Sequence, residues 1–381
     1  MNHATSWPLD PRVLRFMTPL LEAESGGPGS PPGRDRVAEV LDQARDRVAV
    51  LVEASPGQII FTSGGTEACN LAIKGVGLAR LIRAGSAGRI VVGATERPAV
   101  LHPARTLAKL GAEVVEVPVG PDGVLALDRM SSLMEGAALV TVSFADEETG
   151  TCQPMAEIAR MARARGVLLH ADASLAAGYR RLSVRDLDVD LLSLSSHRMG
   201  GPRGAGALYV REGVRLLPLI EGGTQESGRR AGMPFVAGLA GFGEAARLRV
   251  ADLQDEQARL DRLGRDLARA LSLLDGVRLN GHPDRKLHPL VNISASGLEG
   301  EAILLKLRRR GVTASTGSSC AEQAGKPSRV LAAMGIPEAL ARSSILFSLG
   351  PRTTDEDVVR TVDAMAEALA QLRALAPGPA A

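Results

Sequence analysis

Leu191–Arg211 reads LLSLSSHRMGGPRGAGALYVR, and the architecture follows from how this stretch is parsed. The apolar run Leu191–Leu194 ends in the polar triplet Ser195-Ser196-His197. A turn rich in glycine follows (Gly200, Gly201, Gly204, Gly206), and Ala207–Val210 is apolar again. This pattern predicts two short strands joined by a close-approach turn. Polar side chains at the end of a buried strand of an α/β sheet stand where ligands bind, so Ser195, His197 and Arg198 are candidate site residues.

With 381 residues the chain can bury a large core and form two domains. A net charge of +2 points to neither nucleic acid nor a membrane as partner. Met1–Leu20 lacks a signal-peptide pattern and no apolar run is long enough to cross a bilayer, so a cytoplasmic location is expected. Cys69, Cys152 and Cys320 lie far apart without a CxxC pair, which fits a reduced compartment and no disulfide framework. No metal site is expected. The lysines are Lys74, Lys109, Lys286, Lys306 and Lys326; the large excess of arginine reads as compositional bias.

Outward from the opening stretch, strands are expected at Ile59–Phe61, Arg89–Val92, Ala112–Val117, Ala138–Phe144 and Val167–His170. Pro8 and Pro11 argue against regular structure in Met1–Asp10. Apolar residues at Val37, Val40, Leu41, Ala44, Val48 and Leu51 predict a helix over Asp35–Glu53. The first strand runs into Thr62-Ser63-Gly64-Gly65-Thr66-Glu67 and a helix through Lys74. Strand, glycine turn and helix start make an anion site, because free amide N–H groups and the helix dipole point at the turn. A tight turn capped by Thr66 is the competing reading. Cys69, on the inner side of this helix, reads as a small core residue, and His102 as a satisfied or exposed helix histidine. A long amphipathic helix with breaks is expected over Pro234–Ala270, then strands at Val277–Asn280 and Leu290–Ser294 and a helix at Glu301–Arg310. Small polar residues flank Cys320, which implies an accessible loop cysteine. Thr353-x-x-Glu356 reads as the capping box of a last helix ending at Leu375.

In this order the motifs resemble those of the cysteine desulfurases, pyridoxal-phosphate (PLP) enzymes of the class V aminotransferase group. A Ser-x-His-Lys-x-x-Gly-Pro-x-Gly run in that family supplies the lysine that holds PLP as a Schiff base. Here Ser195–Gly204 matches the run, with Arg198 at the lysine. A Schiff base needs a neutral amine, whereas a guanidinium stays protonated and delocalised. The resemblance assigns Gly65 and Thr66 to the phosphate cradle, Asp172 to the pyridinium nitrogen and Cys320 to the persulfide-carrying loop. Other family positions are replaced. Arg97 stands for the histidine that stacks on the ring, Leu175 for a glutamine facing the phenolic oxygen, and Met233 for a threonine reaching the partner's phosphate. Leu346 stands for the arginine that clamps the substrate carboxylate, and Glu147 for an asparagine at the cofactor. Related enzymes also begin with a strand before the equivalent of Ala4-Thr5-Ser6, which implies a trimmed amino end.

The resemblance implies the α/β, type I PLP-dependent transferase fold. Its large domain has a mostly parallel, seven-stranded-type sheet and is followed by a smaller α+β C-terminal domain. The expected division is an N-terminal segment at 1–15, the large domain at 16–250 and the small domain at 251–381. A homodimer is expected. Five of these replacements, Arg198, Arg97, Leu175, Met233 and Leu346, lead to the expectation of a homologue that forms no PLP Schiff base and serves as a binding or assembly partner of a sulfur-transfer or biosynthetic system. One alternative is an enzyme with PLP-independent chemistry on an anionic small molecule, in a pocket made strongly cationic by Arg97 and Arg198, with Cys320 or His197 catalytic. The other is a cysteine desulfurase using noncovalent PLP. In every case no cofactor is expected to be covalently bound, and PLP is expected to be at most noncovalent; the expected partners are a sulfur-acceptor or biosynthetic protein and an anionic small molecule.

Overall fold

Burial alternates along the central strands. Ile59 and Phe61 enter one core and Ile60 the other, and Val91 opposes Ile90 and Val92 in the same way. Both faces of the sheet are therefore covered, which is why its strands read as nearly continuous apolar runs. The computed structural model describes residues 1–22, 33–317 and 327–375.

The sheet comprises β1 (Ile59–Thr62), β2 (Arg89–Gly93), β3 (Glu113–Val117), β4 (Ala137–Ser143), β5 (Leu168–Asp172), β6 (Leu191–Ser195) and β7 (Gly206–Val210). Their spatial order is β1-β7-β6-β5-β4-β2-β3. Strands β6, β5, β4, β2 and β3 pair in parallel, and β7 is antiparallel to both neighbours. One face is covered by α1 (Pro11–Glu22), α2 (Gly33–Leu51), α5 (Leu127–Leu133), α6 (Met155–Ala164), α7 (Val184–Leu187) and the start of α8 (Val236–Ser272). The other is covered by α3 (Gly65–Ala84) and α4 (Pro98–Lys109).

The smaller C-terminal domain has an antiparallel sheet in the order β10-β9-β8, from β8 (Val277–Asn280), β9 (Leu290–Ala295) and β10 (Ser344–Ser348). Its helices are α9 (Gly300–Arg309), α10 (Arg329–Ala333), α11 (Glu338–Arg342) and α12 (Asp355–Leu375). Leu260, Leu263 and Leu267 of α8 share this core with Ile303, Phe347 and Met365. Trp7, Leu175 and Tyr179 also reach into it and tie the two parts together. The amino end is bound to this domain as well, since Asn2 bridges to Ser348. No described helix is long and apolar enough to cross a membrane.

Three local expectations change. The helix from Gly65 continues to Ala84, ten residues past Lys74, because Gly75 and Gly77 are close-packing sites rather than stops. A Cβ on Gly77 would lie 2.5 Å from Leu107 Cδ1. Helix α8 runs unbroken, since a Cβ on Gly243 would lie 2.6 Å from the Ala44 backbone of α2, so its glycines let two helices approach. The closing cap is one residue later than read. Thr354 Oγ1 accepts from Asp357 N at 3.3 Å and Asp357 Oδ2 accepts from Thr354 N at 3.1 Å, while Thr353 Oγ1 accepts from Gly350 N.

Candidate active site

Strands β4, β5 and β6 end side by side at Ser143, Asp172 and Ser195, and the parallel register brings their polar termini to one edge. The opening stretch folds as read: β6 and β7 pair from Leu191 with Val210 to Ser195 with Gly206. A Cβ on Gly206 would lie 2.5 Å from Gly64 Cα, so only glycine lets β7 seat the Thr62–Gly65 turn. Gly64 caps α3, and Glu67 accepts from Ser63 N at 2.8 Å; Thr66 is exposed and is not the cap. The amides of Gly65, Thr66 and Glu67 are thus outside the helix's own ladder, the arrangement an anion site needs.

Buried Asp172 meets Arg97, whose Nε donates to Asp172 Oδ2 at 2.5 Å. Burial alone would raise this carboxyl's pKa, but the charge of Arg97 and its hydrogen bond hold it well below the ordinary range. Arg97 Nη2 also reaches Ser174 Oγ at 3.4 Å, beside Gly65. Arg198 is 7% exposed. Its Nη1 donates to Ala4 O at 2.6 Å and its Nη2 to Glu147 Oε1 at 2.9 Å. The same Glu147 oxygen lies 3.3 Å from Arg97 Nε. The expected strongly cationic pocket is therefore not present: Asp172 and Glu147 neutralise the two arginines.

His197 Nδ1 pairs with Ser195 Oγ at 3.0 Å. Burial, then Arg198, Arg203 and Arg97, push its pKa down to about 4, so the imidazole is neutral at physiological pH and a weak proton donor or acceptor pair for catalysis there. Cys69 is fully buried and its thiol is pushed far up by burial, as a core residue should be. His102 is exposed on α4. Leu175 and Leu346 are buried in the small-domain core, and Met233 is 62% exposed beside Ser63. Cys320 lies outside the described residues.

Sequence reasoning missed an acidic set on the domain-facing side of this pocket. Glu96 accepts from Ser143 N at 2.7 Å and from Ser143 Oγ at 2.6 Å, and burial raises its pKa to about 8. Burial also raises Asp146 to about 6, and burial with Asp146 raises Glu148 to about 8. Ser328, the cap of α10, donates to Glu148. The available signal was a glutamate directly after a buried strand, at Thr95-Glu96, where a desolvated carboxyl is expected.

Residues 1–361 match the aminotransferase class-V family. A cysteine desulfurase IscS of Dictyoglomus turgidum is 38% identical, with 99% of this chain and 96% of the relative covered. The chain belongs to the cysteine desulfurase family of class V aminotransferases. IscS of Methanosarcina thermophila is 36% identical over 99% of this chain and 93% of its own length. A solved structure described as a NifS-like protein superposes with a TM-score of 0.89 at 29% identity, covering 97% of this chain and 98% of that one.

These findings overturn the expectation of a PLP-independent binding or assembly protein, and with it that of new chemistry on an anionic substrate: end-to-end identity of this size to cysteine desulfurases supports an enzyme of that family. They equally overturn the expectation that no cofactor is covalently bound and that PLP is at most noncovalent, since the family carries PLP as a Schiff base. The error lay in weighing five pocket positions above the rest of the chain. Tested residue by residue, the amides at Gly65–Glu67 fit a phosphate and Asp172 is the right partner for a ring nitrogen, although Arg97 sits on it. Arg198 does not fit the aldehyde, because it has no amine to condense.

Proposed function

We propose that this protein is a cysteine desulfurase that takes sulfur from cysteine with PLP as its cofactor. The observation that carries the reading is identity of 36–38% to desulfurases along 99% of the chain. The pocket's anion-binding turn and buried Asp172, at adjoining strand ends, support it. When bound, PLP would supply an electron sink. What the chain's own residues contribute is a phosphate seat at Gly65–Glu67, a carboxylate at Asp172 and a neutral imidazole at His197. No step is routed through Arg198. A homodimer and a sulfur-acceptor protein are the expected partners, and exposed Met233 and Phe235 beside the Ser63 turn support the dimer.

The test is sulfide release from cysteine in the presence of dithiothreitol and PLP, with alanine as the counted co-product. Borohydride reduction followed by peptide mapping then shows which amine of the chain retains the pyridoxyl group. Absence of both sulfide and alanine from PLP-loaded protein would refute the reading.

A further inference from the structure

A second cavity lies behind the candidate site, where the amino-terminal segment, the middle of α8 and the Pro351-Arg352 turn converge. Apolar side chains from Trp7, Pro11, Met199 and Leu248 share its lining with acidic residues and arginines. Into this setting the fold places Arg249, which is 4% exposed. Its guanidinium stacks over the Trp7 ring at 5.6 Å, and Nη1 is held by Glu256. The buried Nε has no hydrogen-bond partner among the described residues. Leaving a buried charged donor unmet is costly, so such a group implies an acceptor supplied from outside the chain. A second cation, Arg352, stands exposed at the mouth. Arg12, the third, is already paired with Asp10 and Asp252.

We propose that this cavity is a binding site for a small carboxylate with an apolar body. The carboxylate would accept from Arg249 and Arg352, and the body would lie against Trp7 and Leu248. A planar guanidinium fork matches a carboxylate, and the short apolar walls suit a few carbons rather than a sugar phosphate. The acids of the lining, Asp252 and Glu256, are already paired with Arg12 and Arg249, so the carboxylate and its apolar body define the ligand class, from simple fatty acids to small α-amino acids. The site adjoins the pocket: Met199 and Gly200 follow Arg198, and Ala4, which accepts from Arg198, precedes Trp7 by three residues.

Trp7 is the only tryptophan of the chain and lines this cavity, so its emission reports on binding there. The full-length protein is titrated with sodium propionate, and separately with L-alanine, at constant ionic strength, with sodium chloride as control. A saturable change with propionate, absent with chloride, is expected. Arg352→Ala, at an exposed position that leaves the circular dichroism unchanged, should weaken binding at least about tenfold, the usual worth of a charged hydrogen bond. Arg249→Gln should abolish it. Saturation by alanine alone, lost in Arg249→Gln, also supports the site and narrows the ligand class to α-amino acids. A response that never saturates with either probe, or equal affinity in wild type and Arg352→Ala, overturns the proposal.

Discussion

Glu147→Gln is the substitution that asks most of this structure. One carboxylate oxygen serves Arg198 at 2.9 Å and Arg97 at 3.3 Å. At an effective dielectric near 20, each contact is worth about 5–6 kcal/mol of Coulomb energy before desolvation is charged against it. Gln keeps the shape and one acceptor but removes the charge. Arg97 retains Asp172, whereas Arg198 is left buried with only the Ala4 carbonyl. Removing one partner of a buried pair typically costs 3–5 kcal/mol. Glu147 is partly solvated, with a side-chain exposure of 22%, which places the loss at about 3 kcal/mol. The assay is equilibrium urea unfolding of wild type, Glu147→Gln, Arg198→Met and the double variant. The double variant should be more stable than additivity allows by about 1–3 kcal/mol, because Met leaves no charge to strand. Asp355→Asn, at the exposed pair with Arg262, is the control and should not move the midpoint. Additive single effects, or a Glu147→Gln midpoint equal to that of wild type, would show that the carboxylate does not hold the two arginines.

Other outcomes follow from single observations. Glu96 and Glu148 titrate in the folded protein near 8 and in the unfolded chain near 4.5, so their contribution to stability is full below 4.5 and declines to nothing as pH rises to about 8. Glu148→Gln should flatten that part of a stability-versus-pH curve, and an unchanged slope would refute its burial as an acid. His170, buried between Thr141 Oγ1 and Ser193 Oγ, has its pKa pushed down to about 4 by burial; it therefore costs stability as pH falls from 6.5 towards 4, and His170→Asn should remove part of the acid sensitivity. Gly206→Ala puts a methyl 2.5 Å from Gly64 Cα and should cost about 1–3 kcal/mol in urea unfolding, together with weakened PLP uptake. Thr354→Ala removes the α12 cap and should cost about 1 kcal/mol, whereas Thr353→Ala should leave the helix start unchanged by hydrogen exchange.

Much of this protein is determined by local pattern. Apolar runs of five residues, glycines at the turn before Gly65 and after Arg198, and spacing at 3.6 place the strands and helices where they are found, because these signals act within a few residues. The end-to-end order of the motifs is enough to identify the family. Where a glycine's role depends on a distant neighbour, as at Gly77 against Leu107 or Gly243 against Ala44, sequence alone suggests a break and the packed structure shows a contact. Charge is less legible still. Arg97 and Arg198 are about a hundred residues apart and read as two unpaired cations, and only the parallel sheet brings Asp172 and Glu147 against them. The buried acids Glu96 and Glu148 are likewise products of tertiary burial, since desolvation is a property of the surroundings and not of the residue.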